Sequence, residues 1–215
     1  MSRRPITSAD ETREKILDVA EELFHRIGYA KTTIADIAQE MGMSSANIYR
    51  FFPSKSAIND AGCRRLMARM QAGMQAVATG PGSAEDRLRA LVLSTHRHNR
   101  DLLTTERRVH DMVDAAIAES WDAIEEHKQA CNAIFARLIE DGIASREFAP
   151  IPDISGFAET VGNACCSLFH PTLIAQCARA DGGTPDEMPA FRLVWLLLEA
   201  LRNTDRRPMP QGGTP

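Results

Sequence analysis

Apolar residues recur at intervals of three and four along nearly the whole chain, and nowhere do they alternate with period two for long enough to make a strand. That regularity predicts an all-α fold. From Asp10, the residues Ile16, Leu17, Ala20, Leu23, Phe24 and Ile27 fall on one helical stripe, while Glu14, Lys15, Asp18, Glu21, Glu22 and Arg26 face away. Gly28 supplies a left-handed stop. A second helix starts at Thr33, with Asp36 three residues on as a capping box, and ends at Gly42. Ser44 caps a third, very short helix whose inward residues are Ile48, Phe51 and Phe52. Pro53 stops it, and Ser54 caps a fourth running from Lys55 to about Val77.

The clearest break in the first half is Gly80-Pro81-Gly82-Ser83. Beyond it, helices are predicted near 84–103, 105–118, 120–145, 154–178 and 186–203, about nine in all. Pro171 lies within the 154–178 pattern and is expected to kink or break it, and Gly162 and Asn163 agree with a cavity nearby. The predicted architecture is an N-terminal three-helix domain over 1–56, a connecting helix over 57–80, a C-terminal helical bundle over 81–205 and a disordered tail over 206–215.

Net charge is -4, which argues against a protein that coats nucleic acid by bulk charge. The distribution says more. Residues 1–80 hold 11 Lys and Arg against 9 Asp and Glu, whereas residues 81–215 hold 14 against 20. Any contact with a polyanion is therefore expected in the first third, through a local patch.

The basic Met-Ser-Arg-Arg-Pro start has no apolar segment behind it, so no signal peptide is read there. The apolar run Leu193 to Leu201 is interrupted by Glu199 and is too short to span a bilayer, so no membrane partner and a cytoplasmic location are expected. Five cysteines without a Cys-x-x-Cys pair suggest reduced thiols and no structural zinc.

Met41 to Lys55 has the layout of a helix-turn-helix: two helices joined by a tight turn that contains Gly42. In such a unit the second helix enters the major groove of double-stranded DNA and its N-terminal residues reach base edges. Ser44, Ser45, Ala46 and Asn47 make a small front end that lets the backbone approach. Ile48, Phe51 and Phe52 anchor the back of the helix on Ile16, Ala20, Leu23 and Ile37, because a helix this short does not hold its shape alone. Tyr49, Arg50 and Lys55 are placed to reach phosphates.

The stretch "ILDVAEELFHRIGYAKTTIADIAQEMGMSSANIYRFFPSKSAI" resembles the N-terminal DNA-binding domain of the tetracycline-repressor (TetR) family over roughly Thr12 to Ile58. The resemblance rests on the "A-ELF---GY--TT" helix end, the "I-DIA---GMS" turn and "IYRFFPSK". It implies that Thr33, Ser45, Asn47, Tyr49, Arg50 and Lys55 occupy DNA-contacting positions, and that the remainder is a ligand-binding and dimerisation domain. The chain departs from the family at Ser45, where Lys or Arg is frequent, at Ala46, where Gly is frequent, and at Phe51, where His is frequent.

For the larger domain the residues themselves must speak. Phe157, Val161, Cys165, Leu168 and Phe169 form one apolar stripe, and Phe191, Val194, Trp195, Leu198 and Leu201 another. Two such helices near the end of the chain predict the interface of a homodimer, a two-fold four-helix bundle. Leu103, Met112, Trp121, Ile124, Phe135, Phe169 and Leu173 are the candidates for a pocket holding an unknown small-molecule effector. His110 and Asp114 lie four apart, as do His127 and Cys131, a spacing that can chelate a metal. Solvated side chains are the commoner explanation, so no metal or other cofactor is expected. No phosphate loop, nucleophile elbow or His-Glu-x-x-His is present, and the chain is not expected to be an enzyme.

The expected function is that of a ligand-responsive transcriptional regulator, a repressor that binds a palindromic operator as a dimer. Two alternatives remain at this stage: a metal-dependent helical enzyme using the His and Asp cluster, or a DNA-binding protein whose larger domain takes a protein partner.

Overall fold

A computed structural model describes residues 9–105, 121–170, 173–174 and 186–203, apart from the side chains of 102–105 and 121. The described residues are helical, with no strand: α1 Ala9–Ile27, α2 Ile34–Glu40, α3 Ser45–Tyr49, α4 Lys55–Ala78, α5 Ala84–Thr105, α6 Trp121–Ala144, α7 Ile154–Phe169 and α8 Met188–Arg202. The helix expected over 105–118 and the tail over 206–215 fall outside the described residues. Among the described residues, no helix is long and apolar enough to cross a membrane.

The chain divides into two compact units. The first contains Met1–Gly73 and Asn99–Gln129. Its core is the apolar stripe of α1 (Ile16, Leu17, Ala20, Leu23, Phe24) closed by Ile34, Ile37 and Ala38 of α2, Ile48, Phe52 and Ile58. Arg65 of α4 ties this core down from outside. Its guanidinium, 19% exposed, meets Glu14 at 3.1 Å, Asp18 at 2.7 Å and Glu21 at 2.7 Å, three carboxylates on the outer face of α1. Burial works against the Arg65 charge, yet the hydrogen bonds and charge of Glu21 and its neighbours outweigh it and raise the pKa.

The second unit contains Met74–His98 and Ala130–Pro215. Leu88, Leu91, Val92, Phe135, Leu138, Ile139, Val161, Cys165, Val194, Leu198 and Leu201 build its core. The helix entries are locally encoded. At α5 the Ser83 hydroxyl accepts from Asp86 N at 3.0 Å, and at α7 Asp153 Oδ1 accepts from Gly156 N at 2.8 Å. Gly162 does not border a void: a Cβ there would stand 2.1 Å from Asn132 Oδ1, so the glycine lets the side chain from α6 press onto α7. Asn163 is exposed.

The helix expected over 154–178, with a kink or break at Pro171, ends at Phe169, and residues 173–174 are again helical, with Ile174 N donating to His170 O at 3.0 Å. His170 takes φ -78 and ψ 120, an extended conformation, and its N–H returns to Cys166 O at 2.8 Å. Pro171 accounts for this, because the proline ring clashes with an α-helical residue before it and supplies no N–H to continue the ladder.

Candidate DNA-binding site

The turn between α2 and α3 is fixed by local chemistry at every step. Thr33 caps α2 through the full reciprocal box: its hydroxyl accepts from Asp36 N at 3.2 Å while Asp36 Oδ2 accepts from Thr33 N at 2.8 Å. The Thr33 hydrogen bonds also hold the Asp36 carboxyl below its ordinary pKa. At the other end, Gly42 N donates to Gln39 O at 3.1 Å and Met43 N to Ala38 O at 2.9 Å. This double closure requires a left-handed residue, and Gly42 sits at φ +62. Ser44 then caps α3, accepting from Asn47 N at 3.3 Å.

Of the five residues of α3, Ile48 alone is fully buried, and Phe52 beyond its end is buried with it. Phe51, expected to point inward, is half-buried and packs at the edge of the core. The rear is pinned by Arg13 of α1, whose Nη1 donates to Phe51 O at 2.8 Å while its guanidinium lies 4.1 Å from the Phe52 ring centroid. Apart from Lys55, the residues expected to contact DNA stand outward or at the edge of the core. Thr33, Ser44, Ala46, Tyr49 and Arg50 are exposed, and Ser45 and Asn47 are half-buried beside them. Tyr49 is 52% exposed, far above what a core aromatic shows.

Lys55 is placed differently from the rest. Its ammonium donates to Tyr29 O at 2.8 Å and Thr32 O at 3.0 Å and lies 4.4 Å from the Tyr29 ring centroid. The charge faces the α1–α2 loop, so in this structure Lys55 braces the reader and does not extend from it. Ser54 caps α4 through Ala57 N at 3.0 Å, as its position in the sequence suggests.

Arg13 and Arg65 were not singled out from the sequence. A signal for Arg65 existed: Glu14, Asp18 and Glu21 run down one outer face of α1 as an acidic stripe that lacks an interleaved cation.

In the second unit, the two helices expected to form the dimer surface turn their stripes inward. Val161, Cys165, Leu168, Val194, Leu198 and Leu201 are buried in the core of their own unit, and Phe157 and Phe169 pack half-buried against it. These side chains offer a second copy little or nothing. The apolar surface is the opposite face of α8, where Met188, Phe191, Trp195 and Leu196 are 47, 42, 61 and 56% exposed.

Of the seven residues considered for an effector pocket, the side chains of four are described. Phe135 is fully buried core, Phe169 and Leu173 are half-buried in the same unit, and Ile124 is half-buried in the other. Met112 and the side chains of Leu103 and Trp121 lie outside the described residues, as do His110 and Asp114. His127 is engaged elsewhere, with Nδ1 2.9 Å from Gln71 Nε2, and burial lowers its pKa. Cys131 faces Met74, Sγ to Sδ 3.8 Å, and burial pushes its thiol up to about 11. Among the described residues, no three His, Cys, Asp or Glu side chains gather as a metal site.

Comparison with known proteins agrees with this geometry. Residues 16–61 match the DNA-binding domain model of bacterial regulatory proteins of the tetR family, and residues 84–184 match the tetracyclin repressor-like C-terminal domain. The transcriptional regulator TtgR of Pseudomonas putida is 41% identical over 61 residues, 28% of this chain and 29% of that protein. The match thus spans less than a third of that relative's length. Two solved structures share the fold at 19% identity. A TetR-family regulator from Pectobacterium atrosepticum aligns over 93% of this chain and 96% of its own with a TM-score of 0.68. FadR from Bacillus subtilis, in complex with stearoyl-CoA, aligns over 90% and 99% with a TM-score of 0.59. With both halves of the family's architecture matched in order, and a capped helix-turn-helix where the first requires it, the chain belongs to the TetR family of transcriptional regulators.

Proposed function

We propose that the protein is a ligand-responsive repressor that binds a palindromic operator as a homodimer in the cytoplasm and is released by a small-molecule effector. In this reading residues 1–56 read DNA, 57–80 connect, and 81–205 bind effector and dimerise. One observation carries it: a five-residue helix held by Ile48 presents Ser45, Ala46, Asn47, Tyr49 and Arg50 on its open side. Small residues at the tip allow backbone approach to base edges, and Tyr49 and Arg50 flank them with a hydroxyl and a cation suited to phosphate oxygens. Arg50 is exposed and brings a cation to the edge of this set.

Dimerisation is assigned to the outer face of α8. Met188, Phe191 and Trp195 follow one another at spacings of three and four, and Leu196 widens the stripe. Four large apolar side chains exposed over the stretch from Met188 to Leu196 are what a self-complementary helix pair covers. Two readers so joined meet half-sites about 34 to 36 Å apart. An effector that favours a second arrangement of the dimer, by about 5.5 kcal/mol for a near-complete switch, releases the DNA. That the structurally similar FadR was solved in complex with stearoyl-CoA supports the reading of a small-molecule effector. Helix α4, held to α1 by Arg65 and to α6 by Gln71 and His127, is the proposed lever.

Selection of bound fragments from random duplexes tests this reading. A palindromic consensus is expected. Tyr49→Phe weakens binding to all sequences alike, Asn47→Ala changes the preferred bases, and Trp195→Glu sediments as a monomer with little affinity. Binding without sequence preference overturns the DNA-reading role, and a persistent Trp195→Glu dimer overturns the assigned surface.

A further inference from the structure

The break at Pro171 has a chemical sequel in the interior of the second unit. The last carbonyls of an α-helix have no partner within it, and α7 ends at Phe169. One of them, Leu168 O, is met by His96 of α5, whose Nδ1 lies 2.9 Å away. A carbonyl only accepts, so Nδ1 carries the proton. A neutral imidazole then has its remaining lone pair on Nε2. His96 is 3% exposed, and among the described residues no donor reaches that Nε2.

A buried acceptor without a donor is costly, of the same order as a lost hydrogen bond, and native interiors rarely leave one so. Val92 and Leu93 one turn back on α5, and Cys165 and Leu168 on α7, are buried in the same core, and on α5 itself the polar Thr95 and Asn99 are buried beside His96. A charged group would lack a counter-ion.

Resting on the reading of this protein as an effector-responsive regulator, we propose that His96 is an effector-binding residue. Its Nε2 accepts a hydrogen bond from a hydroxyl on an uncharged, otherwise apolar small molecule. The imidazole is held ready for this by the carbonyl that the helix break exposes, so binding need not reorient the ring. This also explains why a histidine suits the position. A leucine would fill the space but leave Leu168 O unmet, and a lysine would satisfy Leu168 O but bring a buried charge.

The test uses the full-length protein and two matched probes, 1-naphthol and 1-methoxynaphthalene, which share the ring system but differ in the donor. The naphthol is expected to bind about three- to tenfold more tightly relative to its ether in the wild type than in His96→Leu. Nitrogen-15 spectra of the wild-type histidines give a readout that needs no variant to fold: the His96 Nε2 resonance moves with the naphthol and stays with the ether. Equal preference in the two proteins overturns the proposal, as does binding of neither probe. So does an Nε2 that already shows a hydrogen bond in the free protein and is untouched by the naphthol, which would mean a resident water or side chain. Operator binding by the same preparation keeps the two ideas apart. Specific DNA binding with an indifferent His96 sinks the site alone, whereas loss of sequence-specific DNA binding sinks the regulator.

Discussion

α2 and α6 end in the same geometry and with different residues. At α2, Gly42 takes φ +62, its N–H returns to Gln39 O, and Met43 N reaches Ala38 O. At α6, Arg146 takes φ +63, its N–H returns to Ile143 O at 3.1 Å, and Glu147 N reaches Gly142 O at 2.9 Å. The closures are equivalent bond for bond. A glycine meets the left-handed conformation without strain, whereas for arginine it costs roughly 1–2 kcal/mol. The turn of the DNA reader is therefore written into its own few residues. The α6 turn is enforced from afar: Glu147 accepts from Glu85 N at 3.1 Å, 62 residues upstream, and Phe148 is buried in the core against Gly142.

Three substitutions probe this contrast. The largest effect is expected at Gly142→Ala, where a Cβ would stand 2.1 Å from the Phe148 ring. Thermal or urea unfolding should show a loss of about 3 kcal/mol, at the upper end of overpacking costs. A neutral outcome would mean that Phe148 is not what enforces the turn. Next comes Gly42→Ala, expected to lose about 1–2 kcal/mol from backbone strain alone, since nothing lies within 4 Å of the added carbon. Operator affinity should fall with it, because the turn sets the entry of α3. The smallest is Arg146→Gly, expected to gain about 0.5 kcal/mol as relief of strain slightly exceeds the added freedom of the unfolded chain. A loss there would show that the arginine side chain contributes something the backbone argument omits.

The same division explains what the sequence discloses. The bounds of α1 to α4, the caps at Thr33, Ser44 and Ser54, and the stops at Gly28 and Gly42 follow rules that act over three or four residues, so they can be read directly. The outward set on α3 follows once Ile48 and Phe52 are known to be buried. The direction of Lys55 does not follow, because the carbonyls that hold it belong to Tyr29 and Thr32, more than twenty residues earlier. The phase of α8 is hidden for another reason. Ala190, Val194, Leu197, Leu198 and Leu201 form one apolar face and Met188, Phe191, Trp195 and Leu196 a second, so periodicity alone does not decide which is turned inward. Nor does any local pattern disclose the partner of His96, which lies 72 residues away.

The inward turn of Lys55 reaches beyond stability. Each phosphate that a protein neutralises steepens the decline of affinity with ionic strength by about 0.9 in logarithmic slope on duplex DNA. On the proposed reading, a recognition unit whose lysine is engaged with carbonyls, and whose Ser45 stands where a cation is frequent in the family, displaces fewer counterions. Its hold on arbitrary genomic sequence should then be correspondingly weaker, leaving more of the occupancy at moderate salt to the hydrogen bonds that distinguish one base pair from another.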